Sequence, residues 1–148
     1  MAREGLSRGD LLLLVAVLAA FGIADSLYLT WQWYDTASAS WCDLDTYFSC
    51  TKVRESTFAA IGGVPTAIVG VAGFAILLSL GLLALRGRDA LGPWPTTRWL
   101  LAFASSGAAI GFGLTLVEVF VIQAICILCV VGFALVLGIL AVAGIWLR

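Results

Sequence analysis

Apolar residues in this chain fall in long runs, with polar residues gathered between them. Four runs approach or exceed the ~20 residues that a bilayer-crossing helix needs. They span about Leu11 to Tyr34 (broken once by Asp25), Val64 to Leu85, about Trp99 to Ile122, and about Ala124 to Leu147. All are rich in Leu, Val, Ala, Phe and Gly and none alternates with period two, so they predict helices rather than barrel strands. The Arg3/Arg8 start resembles a secretory leader, but the apolar run continues through Tyr28, Leu29 and Trp33. That is too long for a leader core, so the run is read as a retained span.

Between the first two runs lies the long polar segment 35–63. Its part from Asp35 to Cys50 is polar and aromatic, and its part from Thr51 to Ile61 is expected to form a short helix on the membrane surface. Gly62, Gly63 and Pro65 then break the chain and start the second span, since proline is tolerated in a first helical turn. A tight turn near Gln123 joins spans three and four.

Basic residues orient the spans. Arg3, Arg8, Arg86, Arg88, Arg98 and Arg148 fall on one side, with the last three internal arginines assigned to the loop between spans two and three; Lys52 and Arg54 fall on the other. The positive-inside rule places both termini in the cytoplasm and segment 35–63 outside. Trp31, Trp33, Trp41, Trp94, Trp99 and Trp146 stand near span ends, as an interfacial aromatic belt requires.

Composition agrees with lipid burial. The chain is 62% hydrophobic and 11% charged, and its mean hydropathy is +1.09, whereas soluble domains are about a quarter charged. A net charge of −1 offers no basic patch for nucleic acid. Histidine is absent, which removes the commonest metal ligand and general base. The four cysteines, Cys42, Cys50, Cys126 and Cys129, are then the obvious reactive groups.

Cys126 and Cys129 form a C-x-x-C at the outer start of the fourth span. Residues three apart share a helix face, and a helix N-terminus favours a thiolate. A zinc site would need two more ligands. Cys42 and Cys50 lie in the outer segment, on the side where disulfides persist. One reading is a pair of static disulfides bracing a structural or transport protein. The other is a relay, in which one disulfide passes its oxidation to the next by thiolate attack. A bridge between Cys126 and Cys129 would close a very small loop and stabilise little, which favours the relay. A quinone, lipid-soluble and a two-electron carrier, fits as its terminal acceptor.

Gly107 and Gly111 make a G-x-x-x-G, read first as close helix packing and secondarily as room for a ligand. Asp25 and Glu118 fall at span depth, where a charge costs ~2.5–3.5 kcal/mol. They are either a proton path near the cysteines, or interfacial or protonated carboxyls. Glu118, two turns before Cys126, is expected to reach toward the outer surface.

The chain resembles the bacterial and archaeal branch of the vitamin K epoxide reductase family over nearly its whole length. The residues concerned are Gly22-x-x-Asp25-Ser26-x-Tyr28-Leu29-Thr30, Cys42 and Cys50 with Ser56, Gly63-Val64-Pro65-x-Ala67-x-x-Gly70, and Glu118 to Ile122 followed by Cys126-Ile127-Leu128-Cys129. The resemblance implies an all-α membrane protein with a single domain over residues 1–148. Its four-transmembrane-helix bundle would surround a quinone pocket capped by the outer loop and its short helix. It implies that Cys129 lies nearest a quinone of ubiquinone, menaquinone or vitamin K type, that Cys126 receives electrons from Cys50, and that Cys42 exchanges with an extracytoplasmic thioredoxin-like partner. That partner is expected to be a separate protein, because the chain ends at Arg148. Thr66 and Phe133 match pocket positions, and Ser56 and Phe58 a pocket lid. Phe133 and Thr66 stand where the animal enzymes carry Tyr and Asn. They offer fewer hydrogen bonds to an oxygen, which favours quinone over epoxide reduction. Ile127 replaces a frequent proline. An unrelated quinone-linked disulfide enzyme of bacteria has its C-x-x-C in the first outer loop, whereas here the C-x-x-C comes last.

Overall fold

The computed structural model describes residues 7–34, 60–61, 64–88 and 90–147. Helix α1 (Arg8–Tyr34) is followed by strands β1 (Ala60–Ile61) and β2 (Val64–Pro65), helix α2 (Thr66–Leu85), strands β3 (Ala90–Leu91) and β4 (Trp94–Pro95), helix α3 (Thr96–Val117), a π-helical segment (Glu118–Ile122) and helix α4 (Ile127–Leu147). Ala60 and Ile61 pair with Pro65 and Val64 in a hairpin. They are therefore not the end of the expected surface helix, whose remaining residues lie outside the described ones.

Local chemistry sets the helix starts. At α1, Ser7 and Asp10 exchange side-chain-to-backbone hydrogen bonds of 3.1 and 3.2 Å, a capping box that satisfies otherwise orphaned N–H groups. The other two spans that follow hairpins start alike: a strand ends in proline and the helix begins on the next residue, Thr66 or Thr96. A residue before proline is held extended, which places Val64 and Trp94 in strands, and proline's fixed φ leads into the helix. Span three therefore begins at Thr96 rather than near Trp99, and Arg98 lies in its first turn rather than in the preceding loop. Thr96 Oγ1 donates to Arg88 O at 2.8 Å, and Trp99 Nε1 to Leu91 O at 3.0 Å, which ties the β3–β4 hairpin to α3. Helix α2 ends where Gly87 takes φ 89°. Gly87 N–H donates to Ala84 O and Arg88 N–H to Leu83 O, the left-handed stop that glycine favours.

The helices form a closed ring in chain order: α1 packs on α2 and α4, and α3 packs on α4 and, least closely, on α2. The half of the bundle near the α1 N-terminus is solid. Leu11, Val15, Leu80, Leu100, Ile139 and Ala143 interlock there. Small residues let the helices close up: a Cβ on Gly81 would meet Val15, and one on Gly107 would come within 3.1 Å of Val136. Gly107 thus serves helix packing and also lines a cavity within the bundle.

Large apolar side chains cover the outside, including Phe21 (63% exposed), Phe112 (57%) and Phe120 (73%). Such a surface is compatible with lipid and costly in water. Four helices are long and apolar enough to cross a membrane, and the chain is a multi-pass membrane protein with an all-α four-helix bundle.

Candidate active site

The half of the bundle opposite the solid core is hollow. A cavity of about 590 Å³ runs between the helices, mostly apolar, and borders both Cys126 and Cys129 at one end. Along α3 and the π segment its lining extends from Phe103 to beyond Glu118, ~22 Å at the rise of an α-helix. Its volume lies within the range of small-molecule sites. The elongated shape suits a ring with a chain attached.

The cysteines owe their placement to an irregular turn. After Val117 the α-helix widens into the π segment, and Gln123 then takes the left-handed conformation, φ 58° and ψ 38°. Both Gln123 and Ala124 direct their N–H groups to Glu118 O. The chain reverses there, so the backbone N–H of Cys126 donates to Glu118 Oε2 at 3.1 Å. Helix α4 starts at Ile127, so Cys126 is not on the helix face but at its N-cap. Its carbonyl accepts from Val130 N–H at 3.1 Å, the first bond of the helix. Its sulfur accepts from Cys129 N–H at 3.3 Å, doing what a capping oxygen usually does. No disulfide joins the two to each other in this structure. Cys126 is 1% exposed; Cys129 is partly buried and, like Tyr28 and Leu29, packs against the cluster of Cys126 and Leu128.

Two carboxyls share this corner. Glu118 is 4% exposed, its carboxyl is within hydrogen-bonding reach of the Cys129 side chain, and it faces inward rather than toward the outer surface. The π widening and the reversal turn it toward the cysteines. Asp25 projects from α1 into the cavity lining and lies against Gly132, where a Cβ would come within 3.1 Å of Oδ2. Asp25, Glu118, Cys126 and Cys129 all border the same cavity. Beside them, Gln32 Nε2 donates to Tyr28 Oη at 3.0 Å and Thr30 Oγ1 to Ser26 O at 2.8 Å.

Thr66, the first residue of α2, and Phe133, on α4, both border the cavity. Phe133 packs on Gly111, the second glycine of the G-x-x-x-G. Trp33 also lines the cavity, so it differs from Trp31, which is 55% exposed as an interfacial ring would be. Cys42, Cys50, Ser56 and Phe58 lie outside the described residues. Ser26 and Leu29 border the cavity too; both belong to the α1 motif that carries the family resemblance, and Leu29 also shares a helix face with Asp25. Among the described residues no group of three or more His, Cys, Asp or Glu side chains could hold a metal ion.

The model of the vitamin K epoxide reductase family matches residues 13–144, a stretch that holds all four cysteines, and the chain belongs to this family of membrane thiol–disulfide oxidoreductases that act on quinones.

Proposed function

We propose that this protein oxidises the thiols of an extracytoplasmic thioredoxin-like protein and passes the two electrons to a quinone, supporting disulfide formation. The observation that carries the reading is the C-x-x-C placed at one end of a long apolar cavity in the membrane-spanning bundle. A static brace has no use for such a cavity.

The route is the one expected from the family. Partner thiols reduce the Cys42–Cys50 disulfide by exchange. Cys50 thiolate then attacks the sulfur of Cys126 in the Cys126–Cys129 disulfide, and a second exchange leaves Cys42–Cys50 oxidised and the C-x-x-C as two thiols. Cys129, closest to the quinone ring, and Cys126 re-form their S–S bond as the quinone takes up two electrons and two protons. Thr66 and Phe133 shape the ring site, with Ser56 and Phe58 as its lid. One hydroxyl and one phenyl ring offer little hydrogen bonding to an epoxide oxygen, so a quinone is the substrate rather than an epoxide. The arginines at the solid end, Arg86, Arg88 and Arg98, put that end and both termini in the cytoplasm and the cysteines outside.

The test mixes purified protein with a reduced thioredoxin-like protein and ubiquinone or menaquinone and follows quinol formation. Wild type is expected to turn over and Cys129→Ala to be inactive but folded. Absence of quinone reduction, or full activity of Cys129→Ala, refutes the proposal.

A further inference from the structure

We propose that Glu118 is the proton acceptor for the Cys129 thiol, and thus a catalytic group of dithiol oxidation that the π-helical turn holds in place. The inference rests on the reading of Cys126 and Cys129 as the pair that reduces the quinone.

Three observations converge. The Glu118 carboxyl is buried yet oriented, because Oε2 accepts the Cys126 N–H. The same carboxyl is within hydrogen-bonding reach of the Cys129 side chain. It also borders the cavity that both sulfurs border, so a proton taken from sulfur needs no path through lipid to reach a substrate there. Capping Cys126 N–H alone would need only a neutral oxygen, as Gln or Ser supplies. A carboxyl at this depth is costly, and what it adds over a neutral oxygen is the ability to take a proton. Asp25 borders the same cavity from the wall formed by α1.

The reaction balances without another reagent. Two S–H bonds break and one S–S bond forms, and the quinone gains two electrons and two protons. Glu118 takes the Cys129 proton as that sulfur becomes nucleophilic and gives it to one quinol oxygen. Cys126, which borders the same cavity, supplies the second proton. Glu118 ends the cycle as it began.

Glu118→Gln keeps an oxygen for Cys126 N–H and removes the proton acceptor. With dithiothreitol as reductant and a short-chain ubiquinone, kcat is expected to fall ~100-fold, the low end of general base contributions, while KM for the quinone changes less than twofold. The residual rate is expected to climb with pH, as hydroxide replaces the carboxylate, over a range where the wild-type rate is flat. A full rate, or a lowered rate whose pH profile parallels wild type, overturns the proposal. Alkylation of Cys129 by N-ethylmaleimide, read by mass spectrometry without quinone, is expected to slow at least tenfold in Glu118→Gln at neutral pH. Equal alkylation rates overturn the proposal even if no quinone is reduced, whereas an inactive wild type with slowed alkylation in the variant refutes only the quinone reading. If Glu118→Gln does not accumulate, Glu118→Asp replaces it. The shorter side chain draws the carboxyl away from the sulfur, so a rate lowered at least tenfold with an unchanged pH profile is expected, and a full rate refutes the idea.

Discussion

Gly111→Ala should damage quinone binding more than it damages the fold. A Cβ at Gly111 would stand 2.5 Å from Phe133 Cδ2 and 3.3 Å from its Cγ and Cε2. Carbon atoms rest at about 3.5–4.0 Å, so the edge of the ring must shift by about 1 Å. The α4 backbone cannot supply that shift, because Ile139 and Ala143, farther along the same helix, are locked in the solid half. The ring can supply it, because it borders the cavity and can swing inward. Overpacking costs about 1–3 kcal/mol, and alanine in place of glycine inside a helix returns about 1 kcal/mol. The net loss of stability is therefore small, about 0–2 kcal/mol by those two figures. The displaced ring takes volume from the quinone. A loss of about 1 kcal/mol of binding raises KM roughly fivefold, and that is the expected minimum. Gly113→Ala is the control: it lies on the same helix, is exposed, and a Cβ there meets nothing within 4 Å. Thermal unfolding in detergent and quinone KM are measured for both variants. If Gly111→Ala matches Gly113→Ala in both, the reasoning fails. The double variant Gly111→Ala/Phe133→Ala should be no less stable than Phe133→Ala alone, since the clash partner is gone and neighbouring effects are not additive.

Ser7→Ala removes one half of the α1 capping box and should lower stability by about 1 kcal/mol with no effect on turnover, read as a drop in unfolding temperature beside an unchanged rate. Gln123 sits at φ 58°; Gln123→Gly should be neutral or stabilising, whereas Gln123→Val should destabilise by about 1–3 kcal/mol and slow turnover by displacing Glu118 from Cys126, checked by unfolding and kinetics together. Thr66→Asn exchanges a hydroxyl for a carboxamide, and Phe133→Tyr adds a hydroxyl to the cavity wall. At about 1 kcal/mol for the added hydrogen bond, the pair should lower the quinone KM roughly fivefold; an unchanged KM would remove both residues from the ring site.

The helices were legible because lipid leaves a simple signature. A bundle surrounded by hydrocarbon is apolar on the outside as well as the inside, so long uniform runs mark the spans. What blurred their ends was local chemistry that hydropathy ignores. Thr96, Thr97 and Arg98 are polar, yet they are helical because Pro95 sets the start, while Val64 is apolar yet lies in a strand because it precedes Pro65. The cysteine motif was legible as spacing but not as geometry. A regular helix through Glu118 and Ile122 turns Glu118 toward the surface, and nothing between Val117 and Cys126 is glycine or proline to announce otherwise. The π segment and the left-handed Gln123 bury Glu118 beside Cys126, which fits the reading of a carboxyl near the cysteines rather than one at the outer surface. Trp33 shows a related limit of hydropathy: position near a span end does not reveal that a residue also borders a cavity.

The irregular turn and the chemistry have one origin. Backbone at membrane depth must find every hydrogen bond within the protein, so a break in a span is tolerated only where buried protein or a cavity receives the freed groups. Here four of the freed N–H groups find partners in the site. Glu118 O takes the N–H groups of Gln123 and Ala124, the Glu118 carboxyl takes that of Cys126, and the Cys126 sulfur takes that of Cys129. An unbroken helix would have satisfied its own backbone and left neither the carboxyl nor the sulfur oriented. Because the break is stitched by a carboxyl and a sulfur, replacing either with an apolar side chain should loosen the turn itself. The loss of activity in a Cys126→Ala variant should then come with faster hydrogen exchange at Cys129 N–H, whereas Cys129→Ala, whose sulfur caps nothing in the backbone, should leave that amide protected.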